Sequence, residues 1–287
     1  GALRNLTRIE AHVNNIALSH TIFDLPFALI AALLATNGQV DGLTVFLIVM
    51  AVTSGRAAAM AINNLADLKY DRLQPRMKYR AMVRGEISKP EALIFIFACL
   101  LVLVVTVAQL PPICLKLLPV AAVPFIIYPF TKRFTGWCHM FLGFAIAMAP
   151  AGGWVAAGGE LFAPAMILIC VALMLWMAGF DAMYGAQDER FDRAHGLHSL
   201  ATEYGAKKAF ELSKVFHIIS ITCMILTGII LGLGWIYFLG VAVAAVTLVY
   251  QHAIVSPRDF SQVTQAYFMR NGIVSVAILI CTWLNFA

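Results

Sequence analysis

Nine apolar stretches of about 20 residues each, separated by short polar connections, restrict this chain to one kind of solvent. They cover residues 16–36, 43–66, 90–109, 113–130, 137–158, 161–183, 209–232, 235–252 and 267–286. Each is long enough to cross the hydrocarbon core of a bilayer as a helix. Composition agrees: 61% of the 287 residues are hydrophobic and 12% charged, against about 25% charged in soluble domains. No polar linker or low-complexity segment divides the chain, so a single domain over residues 1–287 is expected. The first apolar run continues to full spanning length, so the N-terminal segment is not expected to be a cleaved signal peptide.

Prolines 26, 124, 129 and 150 fall inside or near the ends of these runs, where neighbouring helices can satisfy the freed carbonyls. Gly143, Ala147 and Ala151 form a small-xxx-small pattern, which predicts close helix packing rather than chemistry. The six cysteines are scattered along apolar runs with no CxxC, and neither a disulfide framework nor a zinc knuckle is expected.

Positive charge sets the orientation. Of the 20 Lys and Arg residues, 18 lie in the N-terminal tail or in the connections after the second, fourth, sixth and eighth runs. Lys116 alone falls in the opposite set, and Arg56 lies within the second run. By the positive-inside rule these connections are cytoplasmic and the C-terminus lies outside. The expectation is an integral protein of a prokaryotic inner membrane with its polar loops in the cytoplasm.

The second run emerges into NNLADLKYDRLQPRMKYR, Asn63 to Arg80. Asn63, Asp67 and Asp71 are four residues apart and share a face if the helix continues. Two carboxylates so placed repel unless a cation lies between them, and Mg²⁺ suits a site of few carboxylates completed by water and phosphate oxygens. Lys69, Arg72, Arg76, Lys78, Arg80 and Arg84 supply donors for phosphate. The sixth run emerges on the same side into DAMYGAQDERFDRAHGLHS, from Asp181. Asp188 and Asp192 repeat the spacing of Asp67 and Asp71, with Tyr184 and Gln187 just before them. Two similar half-sites suggest one site shared by two helix bundles. His195 and His198 form an HxxH interrupted by Gly196, which reads as a surface loop.

These two stretches resemble the NDxxDxxxD and YxxQDxxxD motifs of the UbiA superfamily of intramembrane prenyltransferases. Asn63, Asp67 and Asp71 match the first; Tyr184, Gln187, Asp188 and Asp192 match the second. Asn64 stands where many members have Asp, and QPRMKYRAMVRG is similar to the NPRTxxRAxxxG segment of the 4-hydroxybenzoate polyprenyltransferase branch, with Gln74 for Asn and Met77 for Thr. The resemblance implies an all-α membrane protein of nine transmembrane helices, in two pseudo-repeated halves around a central cavity, with cap loops at about 67–90 and 184–208. It implies two Mg²⁺ ions on the two acidic sets, a polyprenyl diphosphate donor ionised to an allylic cation, and a small aromatic acceptor in quinone biosynthesis. Lys69, Arg72, Arg76 and Arg80 would contact the diphosphate, and Tyr184 the cation or the diphosphate. No nucleic-acid partner is expected.

Two further polar residues lie deeper. Arg56 points the same way as Asp67 and lies about 16 Å below it on the helix. It would bind an acceptor carboxylate or pair with Asp24 of the first run. Asp181 would orient or deprotonate a phenolic acceptor, or bond a neighbouring helix. Other acceptors remain open within the family, such as a futalosine-derived menaquinone precursor or a glycerol phosphate lipid. From a different class, a cation-coupled transporter would also carry paired acids, but nearer mid-membrane.

Overall fold

The computed structural model describes residues 21–77, 80–261 and 270–287. The described residues are all-helical: α1 (Thr21–Thr36), α2 (Gly42–Asp71), α3 (Lys89–Val107), α4 (Pro112–Thr131), α5 (Cys138–Ile146), α6 (Met148–Ala156), α7 (Pro164–Ala186), α8 (Glu189–Ala194), α9 (Leu200–Tyr204), α10 (Ala206–Ile230), α11 (Trp235–Ile254) and α12 (Asn271–Phe286), with a short 3₁₀ turn at Pro75–Met77. Seven of the expected runs are helices long and apolar enough to cross a membrane, counting α5 and α6 as one. The first and last are shorter apolar helices, Phe23–Thr36 and Asn271–Phe286, and residues 16–20 of the first expected run and 267–269 of the last lie outside the described residues.

Local chemistry explains the helix limits. Asp41 caps α2, its carboxylate accepting from the Thr44 N–H at 2.7 Å. Ser88 caps α3 in the same way, with Pro90 in the first turn. Pro150 has no N–H, and its ring crowds the carbonyl four residues back, that of Ile146. The fifth run accordingly divides into α5 and α6 at Ala147. At 30 residues α2 is about 45 Å long, more than the hydrocarbon core requires, so its last turns carry Asn63–Asp71 towards the polar side.

The helices close into a ring. Helix α2 packs on α3 and α1, α1 on α6, α5 and α10 on α7, and α11 on α12, while α12 returns to α1. Helix α7 is the most buried span, with Leu173, Met177, Phe180 and Met183 enclosed. Helix α3 shows the opposite, exposing Leu93, Ile94, Phe97, Leu101 and Val105, the surface that lipid covers.

Glycines set the closest approaches. A Cβ on Gly143 would lie 2.3 Å from the Met174 carbonyl of α7, which bears out close packing for the small-residue pattern at that position. A Cβ on Gly153 would lie 2.1 Å from the Ala28 carbonyl of α1, whereas one on the adjacent Gly152 would meet nothing within 4 Å. The neighbours therefore respond oppositely to one methyl group. Gly153→Ala should destabilise the detergent-solubilised protein by about 1–3 kcal/mol through overpacking. Gly152→Ala should stabilise it by roughly 0.4–1 kcal/mol, since only the unfolded chain loses freedom. Thermal unfolding of the two variants checks the pair, and equal shifts would contradict this packing.

Candidate active site

Asp67 and Asp71 are buried side by side near the end of α2, so each needs a positive partner. The Lys132 ammonium, just beyond α4, lies 3.0 Å from Asp67 Oδ1. Arg80, from the connection after α2, donates from Nη1 to Asp71 Oδ2 at 2.6 Å. Burial pulls the Lys132 pKa down, but Asp67 and then Asp71 more than offset this and hold it above the usual lysine value. Lys132 was visible in the sequence only as one of many topology-setting charges. Its neighbour Arg133 donates to the Ala66 carbonyl at 2.8 Å, fastening the α4–α5 connection beside the acidic pair.

The second acidic set is split by a helix end. Helix α7 stops at Ala186, Gln187 is its C-cap, and Asp188 is the N-cap of α8, which holds Asp192 in its first turn. Gln74 reaches across from the first connection and donates from Nε2 to Asp188 Oδ1 at 2.6 Å. The resemblance singled out Gln74 only as a departure from Asn. Here it ties the connection after α2 to the second acidic set. Tyr184 is half-buried against the α7 core, and Gln187 Nε2 is buried without a hydrogen bond.

The remaining basic residues separate. Lys69 is exposed with its ammonium over the Tyr70 ring, and Arg72 is exposed at the α2 C-cap, so neither is brought to the carboxylates. The Arg76 side chain and Lys78 lie outside the described residues. Asn63 is half-buried one turn before Asp67. His195 bonds the Phe191 carbonyl and His198 faces Glu203, so the two histidines do not converge.

Deeper along α2, Arg56 Nε lies 3.0 Å from Asp24 Oδ2, with the side chains 3% and 1% exposed. Of the two partners expected for Arg56, the structure thus supplies Asp24. Its Nη2 faces the Met60 sulfur at 3.4 Å, and its Nη1 is buried without a hydrogen bond. Asp181 pairs with a neighbouring helix, its Oδ2 2.6 Å from His139 Nδ1 on α5. His139 was not anticipated, because no local spacing connects it to Asp181.

Among the described residues, no three His, Cys, Asp or Glu side chains converge closely enough to hold a metal ion. Lys132, Arg80 and Gln74 each contact one carboxylate, of Asp67, Asp71 and Asp188 respectively. The donors themselves fit a hard cation, since Asn63, Asp67, Asp71, Asp188 and Asp192 offer only oxygen, and the buried Asp67–Asp71 pair concentrates negative charge.

Comparison with known proteins identifies the family. Residues 25–273 match the UbiA prenyltransferase family. The chain is 30% identical over 247 residues to a 4-hydroxybenzoate octaprenyltransferase of Methylobacillus flagellatus, covering 86% of this chain and 82% of that one. It is 30% identical over 258 residues to the enzyme of the same name from Shewanella sediminis, covering 90% and 89%. The structure superposes on the apo form of a UbiA homolog from Aeropyrum pernix with a TM-score of 0.79 and 31% identity, over 93% of this chain and 97% of the other. A UbiA homolog from Archaeoglobus fulgidus bound to DMAPP and Mg²⁺ shares the fold at 19% identity, with a TM-score of 0.69 over 96% and 98%. The chain, whose buried acids at the end of α2 are followed by a connection that bonds Asp188 through Gln74, belongs to the UbiA prenyltransferase family.

Proposed function

We propose that this protein transfers a polyprenyl group from a polyprenyl diphosphate to a 4-hydroxybenzoate-like aromatic acceptor in quinone biosynthesis, with Mg²⁺ as cofactor and the site open to the cytoplasm. The reading rests above all on the Gln74–Asp188 bond, which draws the two acidic sets into one polar region over the ring of apolar helices. The names of the relatives support the acceptor, and the Mg²⁺ and DMAPP bound to the Archaeoglobus homolog support the donor and metal.

Asn63, Asp67 and Asp71 would hold one ion and Asp188 and Asp192 a second, supplying charge neutralisation to a diphosphate leaving group. Arg80 and Lys132, already at the carboxylates, are placed to turn towards diphosphate oxygens, and Arg76 belongs to the same connection as Arg80. Tyr184 and Gln187 line the approach from α7. The apolar helices take the isoprenoid chain and exclude water, which would otherwise quench an allylic cation to the alcohol. On the acceptor side, the unpaired Nη1 of Arg56 is a buried donor suited to a carboxylate, and Asp181 accepts the acceptor's hydroxyl proton in a hydrogen bond. The acceptor ring would then be held by its carboxylate at Arg56 and by its hydroxyl at Asp181. The nine-helix, two-half arrangement belongs to the same reading, as two acidic ends around one cavity.

Two experiments test this assignment. Purified protein should prenylate 4-hydroxybenzoate with geranyl diphosphate only when Mg²⁺ is present, and Asp67→Ala and Asp188→Ala should each lower the rate by a factor of about 10² or more. Product formation by either variant at the wild-type rate would remove that carboxylate from the metal site. Arg56 calls for a paired change, because removing one partner leaves a buried charge uncompensated. Arg56→Met combined with Asp24→Leu should raise the acceptor KM by about tenfold or more with the donor KM little changed. An unaltered acceptor KM would show that Arg56 serves only to pair with Asp24.

A further inference from the structure

His139 is a buried, titratable side chain that the acidic motifs do not explain. It lies in the first turn of α5, one turn before Gly143, whose missing side chain lets α5 approach the α7 backbone at Met174. The imidazole lies against Gly185 of α7, where a Cβ would be 3.2 Å from its Cε1. Two glycines, one on each helix, thus bring this ring to Asp181.

The ring's two nitrogens have different partners. Nδ1 is 2.6 Å from Asp181 Oδ2, and Nε2 is 3.4 Å from the Leu200 backbone nitrogen. An amide N–H can only donate, so Nε2 must present its lone pair and the ring proton is on Nδ1, directed at the carboxylate. The Leu200 N–H is one of the orphan donors at the start of α9. The Ser199 and Thr202 side chains satisfy two neighbouring donors reciprocally, through Thr202 N–H to Ser199 Oγ and Ser199 N–H to Thr202 Oγ1, while Leu200 N–H meets the imidazole. Asp181 is the more exposed member of the pair, and its Oδ1 makes no hydrogen bond among the described residues.

We infer that His139 is a positioning residue for the prenyl acceptor: its Nδ1–H holds one oxygen of Asp181 and aims the other at the acceptor's hydroxyl, while its Nε2 seats the α9 end of the second connection. This rests on the acceptor reading above and adds to it a second layer. Closure of the connection 187–205 fixes the imidazole tautomer, and the tautomer fixes the carboxylate. The acceptor must then carry a hydrogen-bond donor opposite its carboxylate, as a para-hydroxylated aromatic acid does.

The test uses substitutions that each preserve one half of the ring. The His139→Asn amide nitrogen can take the place of Nδ1 and keep the donor to Asp181, whereas His139→Gln extends to the position of Nε2 and loses it. With purified protein, geranyl diphosphate, Mg²⁺ and 4-hydroxybenzoate, His139→Asn should keep kcat within about threefold of wild type. His139→Gln and His139→Ala should lose about ten- to a hundredfold in kcat over acceptor KM, with the donor KM unchanged. Equal loss in Asn and Gln variants, or a donor KM that rises together with the acceptor KM, would overturn the positioning role in favour of simple packing. The ¹⁵N resonances of histidine-labelled protein, assigned by loss in His139→Asn, should show a neutral ring protonated at Nδ1. A ring protonated at Nε2 alone would overturn the pairing with Asp181, and one protonated at both nitrogens would overturn the seating of Leu200 on Nε2, in neither case touching the acceptor reading. If wild-type protein bound geranyl diphosphate but prenylated no hydroxylated aromatic acid, the acceptor reading and the positioning role would fall together, while the ring signal would still decide the tautomer.

Discussion

Two carboxylates buried side by side at the end of a membrane-crossing helix are the constraint around which this structure is arranged. Neither Asp67 nor Asp71 can stay charged in that position without a nearby cation, and α2 itself provides none on the same face. The partners must come from elsewhere in the chain. Lys132 arrives at the end of α4 and Arg80 from the connection after α2. That connection also carries Gln74 to Asp188, so satisfying the first acidic pair draws in the second. The cations that neutralise the pair in this structure are chemically the groups that a diphosphate would attract. With a divalent ion on these carboxylates, as proposed above, Lys132 and Arg80 would be the donors left for phosphate oxygens.

The sequence carried the parts of this arrangement that depend on local repetition. Apolar run length marked the spans, and the four-residue spacing of Asp67 with Asp71 and of Asp188 with Asp192 marked the two acidic ends. Arg56 and Asp24 were also legible, since a charge inside an apolar run must find another. The cross-links were not legible. His139 and Asp181 are 42 residues apart and Gln74 and Asp188 are 114 apart, and no periodicity on one helix encodes a contact to another. Lys132 was hidden for a different reason: positive charge at a cytoplasmic helix end has a topological explanation that suffices by itself. Lys69 and Arg72 show the converse, since the same local density of charge that suggested phosphate donors places them on the exposed side of α2.

Glycine performs in the apolar layer what charge pairing performs at its edge. Within lipid no hydrophobic force favours helix association, so contact area and backbone approach decide which helices meet. Gly153 seats α6 against the Ala28 carbonyl of α1, and Gly143 seats α5 against the Met174 carbonyl of α7. Both lie on the one membrane crossing that Pro150 divides, so this segment bends between two close contacts on different neighbours. The break at Ala147 lets one crossing satisfy two packing directions.

That division also bears on where the chemistry occurs. The half anchored at Gly143 carries His139, so the helix contact that defines the α5–α7 interface fixes the distance between the imidazole and Asp181. Arg56 and Asp181 are therefore held by partners on packed helices, whereas Arg80 and Gln74 reach the carboxylates from a connection. The proposed reaction, which must hold an aromatic ring yet admit and release a diphosphate, would use this difference. Rigid elements would orient the ring, and exchangeable contacts would surround the leaving group.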